Sequence, residues 1–215
     1  MKTDNRPIGI FDSGLGGLTV AAELRKKLPN ENIIYLGDTA RVPYGDKSPE
    51  NIARFAIQDA KFLVEKGVKA IIAACNTVSA VALDKVLKAF PEIPVFGVLE
   101  AGISSCLLEK PSSVVIIGTR ATISSDAYRK GIHLLNPSIN VVSIPTPLLV
   151  PIIEEGLQDS KISEMALRMY LGELLPNPPD ILLLACTHYP LIKNKLNSIL
   201  PEKVRIIDSA DSCEK

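Results

Sequence analysis

Eight short apolar runs, rich in β-branched residues, punctuate this chain, and longer amphipathic stretches lie between them. A strand-like run followed by a helix-period run, repeated along the chain, is the rhythm of βαβ units. Their strands lie parallel and are buried on both faces. The runs are 7–11 (PIGIF), 32–36 (NIIYL), 68–74 (VKAIIAA), 94–98 (PVFGV), 113–117 (SVVII), 140–144 (NVVSI), 180–185 (DILLLA) and 203–207 (KVRII). Helices are expected between them, as in GLTVAAELRKKL after Gly17 and SPENIARFAIQDAKFLVEKG, where Ser48 and Asn51 are candidate N-terminal caps. Pro145, Pro147 and Pro151 precede a helix expected to begin near Ile152, and PNPPD forms a turn before the seventh run.

The strand pattern restarts after GVLEAG, near residue 98. The expected fold is therefore α/β, with two similar domains, each a mostly parallel sheet flanked by helices. Residues 1–97 would form the first domain and 98–206 the second, with 207–215 returning to the first. The cleft between the domains is the expected active site.

Two runs end alike, VKAIIAACNT on Cys75 and PDILLLACTH on Cys186. Each thiol should stand at the carboxyl end of a buried strand, where open α/β sheets bind ligands. A cysteine in that position is often an inert buried hydrophobe. Here each is bordered by side chains that can hydrogen-bond a ligand or tune a thiolate: Asn76 and Thr77 beside one, Thr187 and His188 beside the other. Two matched thiols suggest two acid/base groups facing one substrate from opposite sides. Cys106, in AGISSCLL, reads as ordinary helix packing, and Cys213 has no such setting, so neither is given a role.

DSGLGGLT at 12–19 follows a strand and opens a helix, so its glycines allow close approach and its amides favour an anion. A dinucleotide reading fits Gly14, Gly16 and the later Asp38, but position 19 is Thr where Gly or Ala belongs. RVPYGDKS at 41–48 is a turn or a lid whose backbone meets a carboxylate, and GTRAT at 118–122 offers Thr119 and Thr122 near a helix start. Glu154 and Glu155 read as solvated, unless one of them orients His188, and His133 has nothing catalytic around it.

Composition narrows the partners. Lys plus Arg and Asp plus Glu both number 24, Trp is absent and aromatic content is 5%, which argues against a nucleic-acid surface. No apolar stretch is long enough to span a bilayer, and the N-terminus lacks a signal-peptide pattern, so a cytoplasmic protein with free thiols is expected. Metal binding would need further ligands at useful spacing.

DSGLGG, PYG, AACNT and ACTHYP stand here in the order that resembles bacterial glutamate racemases, within the aspartate/glutamate racemase superfamily. The likeness runs from Ile8 to about Ser209. Aspartate racemases are similar but usually carry Glu where His188 stands. The resemblance implies a cofactor-independent racemase that binds glutamate as its small-molecule substrate and supplies D-glutamate for peptidoglycan. It implies no nucleic-acid or membrane partner and leaves a homodimer open. Cys75 would deprotonate D-glutamate and Cys186 L-glutamate, with Asp12 and His188 assisting the respective thiols. Asp12, Ser13, Tyr44, Gly45, Asn76, Thr77, Thr119, Thr122, Thr187 and His188 map to positions that bind substrate in the family. Two departures stand out. The family continues past VRIIDSA into a helix that packs on the first domain, whereas this chain stops at SADSCEK, and Ala101 replaces a common Pro after GVLE. Rival readings are a relative acting on aspartate or a hydantoin, and a non-catalytic member that modulates gyrase.

Overall fold

The computed structural model describes residues 4–208. The first half runs β1 (Ile8–Asp12), α1 (Leu18–Lys27), β2 (Ile33–Gly37), α2 (Pro49–Glu65), β3 (Ala70–Ala73), α3 (Asn76–Val81), α4 (Leu83–Ala89) and β4 (Val95–Gly97). The second runs α5 (Leu99–Leu108), β5 (Ser113–Gly118), α6 (Arg120–Ser125), α7 (Ala127–Leu135), β6 (Asn140–Pro145), α8 (Leu149–Glu154), α9 (Lys161–Leu171), β7 (Ile181–Ala185), α10 (Lys193–Ile199) and β8 (Arg205–Asp208). Each expected strand is present within about two residues of its expected ends.

The strands form two four-stranded sheets of the same topology, β2-β1-β3-β4 and β6-β5-β7-β8, and every pairing is parallel. In each sheet the chain order reverses between two central strands, β1 and β3 in one, β5 and β7 in the other. That reversal opens a crevice at the carboxyl ends of the pair.

Alternate residues of the central strands feed opposite faces, as period-2 geometry requires. In the first sheet Phe11 and Ile71 pack against Ile52, Ala56 and Leu63 of α2. Ile8 and Ile10 face the other way, towards Val20 of α1. In the second, Val115, Ile117, Leu182 and Leu184 meet Leu149, Leu167 and Leu196 of α8, α9 and α10. Val114, Ile116, Ile181 and Leu183 meet Ile103, Cys106, Tyr128 and Ile132 of α5 and α7. Cys106 is thus a packing residue on α5.

Three details differ from the sequence reading. Ile207 and Asp208 do not return to the first half: they complete β8, whose Ile207 lies in register with Leu183 of β7. The apolar pair Ile206–Ile207 continues the second sheet's buried edge. The remainder of that expected return, 209–215 with Cys213, lies outside the described residues. Ser48 caps α2 by accepting from the Asn51 amide at 3.4 Å, so Asn51 is the donor inside the first turn, not a cap. Finally, α8 begins at Leu149, because Pro151 falls in its first turn, where a missing N–H costs no intrahelical bond.

Among the described residues no helix is long and apolar enough to cross a membrane. Ile116 is fully buried at the centre of the second sheet. Replacing Ile116 with Ala is expected to lower unfolding free energy by about 2–5 kcal/mol. Urea titration checks this; a loss below about 1 kcal/mol would mean the strand centre is not closely packed.

Candidate active site

The carboxyl ends of the central strands converge. Asp12 closes β1, Cys75 caps α3 just past β3, Thr119 caps α6 just past β5, and Cys186 follows the last residue of β7. The two sheet edges touch through side chains. Thr187 Oγ1 donates to Asp12 Oδ1 at 3.2 Å, and Thr19 Oγ1 donates to the Thr187 carbonyl at 3.3 Å. The Thr77 and Thr119 hydroxyls lie 2.9 Å apart, each about 3 Å from that of Thr122. A narrow cavity of about 10 Å³ remains between the closely apposed edges. Of the twelve residues that the resemblance maps to the site, all but Asp12 and Thr122 line it. Those two sit directly behind, bonded to Thr187 and to Thr119.

Around Cys186 a chain of polar groups runs outward. Its Sγ lies 3.8 Å from His188 Nδ1, and His188 Nε2 pairs with Glu154 Oε1. The structure thereby separates the two glutamates: Glu154 holds the imidazole, while Glu155 is exposed. Tyr189 anchors the same turn through its hydroxyl, 2.7 Å from that of Thr146. Cys75 has a plainer setting, with its Sγ 3.7 Å from Ser13 Oγ.

The glycine-rich turn serves this arrangement by its thinness. A Cβ on Gly16 would sit 2.5 Å from His188 Nδ1, and one on Gly17 would sit 2.5 Å from Asp12 Cβ. The anion that its amides meet is the chain's own: the Gly14 amide donates to Asp12 Oδ2 at 3.0 Å. The dinucleotide features are consumed internally. Thr19 bonds across the sheet edges, and Asp38 accepts from the Tyr44 hydroxyl and pairs with Arg41.

Electrostatics follow from burial. Desolvation, with the Asp12 charge second, pushes the Cys75 thiol up to about 11, against opposing backbone amides of Val78 and Thr77 and the Ser13 hydroxyl. Cys186 is raised further, again chiefly by burial, with the His188 amide opposing and Cys75 and Asp12 adding to the rise. Burial also raises the Asp12 carboxyl, against the pull of His188. Both thiols are therefore protonated near neutral pH in this arrangement.

Tyr44 reaches the cavity differently from the other site residues. Its hydroxyl contacts both Asp38 and Asp59, the latter at 2.8 Å. A phenol has one proton to share between them, and Arg41 pairs with both carboxyls, with Asp59 at 3.1 Å. Burial raises Asp59 to about 6, against the pull of the Tyr44 hydrogen bond and of Arg41. The network pins the segment that carries Gly45, whose added Cβ would fall 2.3 Å from Thr119 Cβ.

The sequence offers Pro43 only as part of the RVPYGDKS loop and gives no role to Val150 or Tyr128. Pro43 belongs to the same loop as Tyr44 and was legible there, whereas Val150 looks like any core residue of α8. Tyr128 of α7 donates to Asn76 Oδ1. A wider hollow of about 490 Å³ opens nearby between Lys47 and Arg120, but no thiol or histidine lines it. Among the described residues no three His, Cys, Asp or Glu side chains converge as a metal site would require.

Comparison with known proteins places these features in context. The profile of the Asp/Glu/Hydantoin racemase family matches residues 18–213. The glutamate racemase of Geobacter metallireducens is 46% identical over 207 residues, 96% of this chain and 76% of that relative. That of Chlorobium phaeobacteroides is 47% identical over 211 residues, 98% of this chain and 78% of the relative. The crystal structure of the Francisella tularensis glutamate racemase in complex with D-glutamate superposes with a TM-score of 0.90 at 48% identity, covering 98% of this chain and 78% of that one.

Two measurements test the electrostatics. The rate of Cys75 alkylation by iodoacetamide should be slow at pH 7 and climb about tenfold per pH unit to at least pH 10, because only the thiolate reacts. A plateau below pH 9 would contradict the raised thiol. Asp59 takes up its proton in the native state before the unfolded chain does, from its ordinary 3.8 to about 6. Its contribution to stability is full below about pH 4 and is lost as pH rises through about 6. Asp59→Asn should flatten the thermal-stability profile across that window; an unchanged slope would contradict the assignment.

Proposed function

The chain belongs to the Asp/Glu/Hydantoin racemase family, and from that premise we propose that it interconverts L- and D-glutamate by a two-thiol, two-base mechanism. One observation carries this reading: two buried cysteines at equivalent strand ends border a single small cavity, one contributed by each sheet. Substrate Cα lies between them. Cys75, as thiolate, removes the α-proton of D-glutamate while Cys186, as thiol, protonates the opposite face; L-glutamate reacts in the reverse sense. The Cα–H bonding pair stays on carbon as carbanion character and then forms the new C–H bond, so no oxidant or reductant is consumed.

The α-hydrogen beside a carboxylate is far less acidic than a thiol, so the barrier falls only if oriented groups stabilise the developing charge. Ser13, Thr77, Thr119 and Thr187, Asn76 and the backbone at Tyr44–Gly45 border the space that two carboxylates would occupy, with Thr122 behind them. Asp12 suits the substrate ammonium. That ammonium also offsets the upward shift of the thiol pKa values, since a positive charge beside a buried thiol favours its ionised form. Asp12 and His188, the latter held by Glu154, then assist the thiols on their own sides. The product fits a supply of D-glutamate for peptidoglycan, made in the cytoplasm.

The test is loss of optical rotation from L-glutamate, without added cofactor, with L-aspartate in parallel. Glutamate should racemise, with aspartate slower. Cys75→Ser and Cys186→Ser should each lower the rate by about 10³-fold or more, within the range for loss of a positioned acid or base. Full activity in either variant, or faster turnover of aspartate, would overturn the assignment of bases or of substrate.

A further inference from the structure

We propose that Arg41, which does not line the cavity, is a positioning residue that keeps the Tyr44–Gly45 backbone in the cavity wall by neutralising two buried carboxyls behind it. The inference rests on reading the cavity as the glutamate site. Arg41 stands in the loop between β2 and α2, on the same stretch as Tyr44 and Gly45. Its guanidinium stacks on the Phe55 ring, 4.3 Å from the centroid, and bonds to Gln58 and to Asp59, so three side chains of α2 hold it. Its Nε pairs with Asp38, where the loop leaves β2.

Asp38 and Asp59 are both buried and both contact the Tyr44 hydroxyl. Ionised carboxylates only accept, and a phenol has a single proton, so without a cation the two would repel each other across it. The planar fork of a guanidinium meets both at once. The loop fixed in this way is wedged between the two walls of the cavity. A Cβ on Gly14 of the glycine-rich turn would fall 3.0 Å from Val42 Cγ2, and one on Gly45 would fall 2.3 Å from Thr119 Cβ. Repulsion at the base of the loop therefore shifts Tyr44 and Gly45 against both walls.

Burial is the largest influence on Asp59; Asp38 and Asp12 add to its rise, while the Tyr44 hydrogen bond and Arg41 oppose it. From the other elements packed on α2, α3 brings no charged side chain, Lys85 of α4 faces Glu50 at the start of α2, and Lys88 pairs with Asp84. Removing Arg41 takes away an opposing pull, so Asp59 holds its proton to a higher pH than in the wild type. The repulsion is present above that pH and relieved below it.

Arg41→Gln should raise the KM for glutamate about tenfold over wild type at about pH 8.5, the scale of one lost hydrogen bond to a charged group, with a smaller change in kcat. The ratio of variant to wild-type KM should fall as the pH is lowered to about 6 and Asp59 is protonated. In an Asp59→Asn background, where the second charge is gone, the same substitution should change KM by less than about twofold. An unchanged KM in Arg41→Gln, a ratio that does not vary with pH, or an equal factor in both backgrounds would overturn the proposal. A second readout does not depend on turnover: backbone amides of the 38–48 loop should exchange with deuterium oxide faster in Arg41→Gln than in wild type at about pH 8.5, and Asp59→Asn should reverse much of that gain. If the wild-type protein fails to racemise glutamate, the functional reading falls, and amide exchange still decides whether Arg41 holds the loop. Unaltered exchange in Arg41→Gln would refute it.

Discussion

A carboxylate with no access to water sits where the two sheet edges meet. Asp12 ends β1, takes a hydrogen bond from the Gly14 amide on its own turn, and takes another from Thr187 at the edge of the other sheet. Much of the surrounding sequence answers to that placement. Gly17 must lack a side chain because Asp12 occupies its space, and Gly16 must lack one because His188 presses on the same turn. The Asp12 charge also adds to the upward shift of both thiols. Moving this carboxyl would loosen the junction of the halves and change the acidity of each cysteine at once.

The two thiols occupy matching places in matching sheets, yet their neighbours differ. Cys75 faces the Ser13 hydroxyl, and Cys186 faces an imidazole whose far side is held by Glu154. A racemase has reason to be unequal in this way. Its substrates are mirror images at Cα, but the rest of the molecule must be gripped by one fixed set of donors, so on the two-thiol proposal the base on each side would work from a different position. The hydroxyl cluster of Thr77, Thr119 and Thr122 likewise draws on both halves.

The fold was legible in the sequence where a single physical rule dominates. Apolar runs such as SVVII and ILLLA are buried on both faces and have few conformations other than parallel strands. The thiols and their adjacent Asn, Thr and His were legible because strand ends in α/β sheets point side chains at the crevice. Tyr128 was not, because a tyrosine on an amphipathic helix reads as core, and its packing among Ile103 and Ile132 is core. Only its oxygen has another use. The edge strand β8 was assigned to the wrong half at Ile207 and Asp208 because strand pairing over long separations leaves no local trace. Glu154 and Glu155 could not be told apart until α8 set their directions.

The central claim is that two thiols act on opposite faces of one carbon. It is tested most directly by converting L-glutamate in deuterium oxide and following the α-position of both enantiomers at early times. Two bases predict that D-glutamate forms with deuterium at Cα while the remaining L-glutamate keeps its hydrogen, because the thiol that delivers the new proton has exchanged with solvent. Early deuterium in the unconverted L-glutamate at the rate of racemisation, or D-glutamate formed with the original hydrogen, would point to a single base serving both faces and contradict the account.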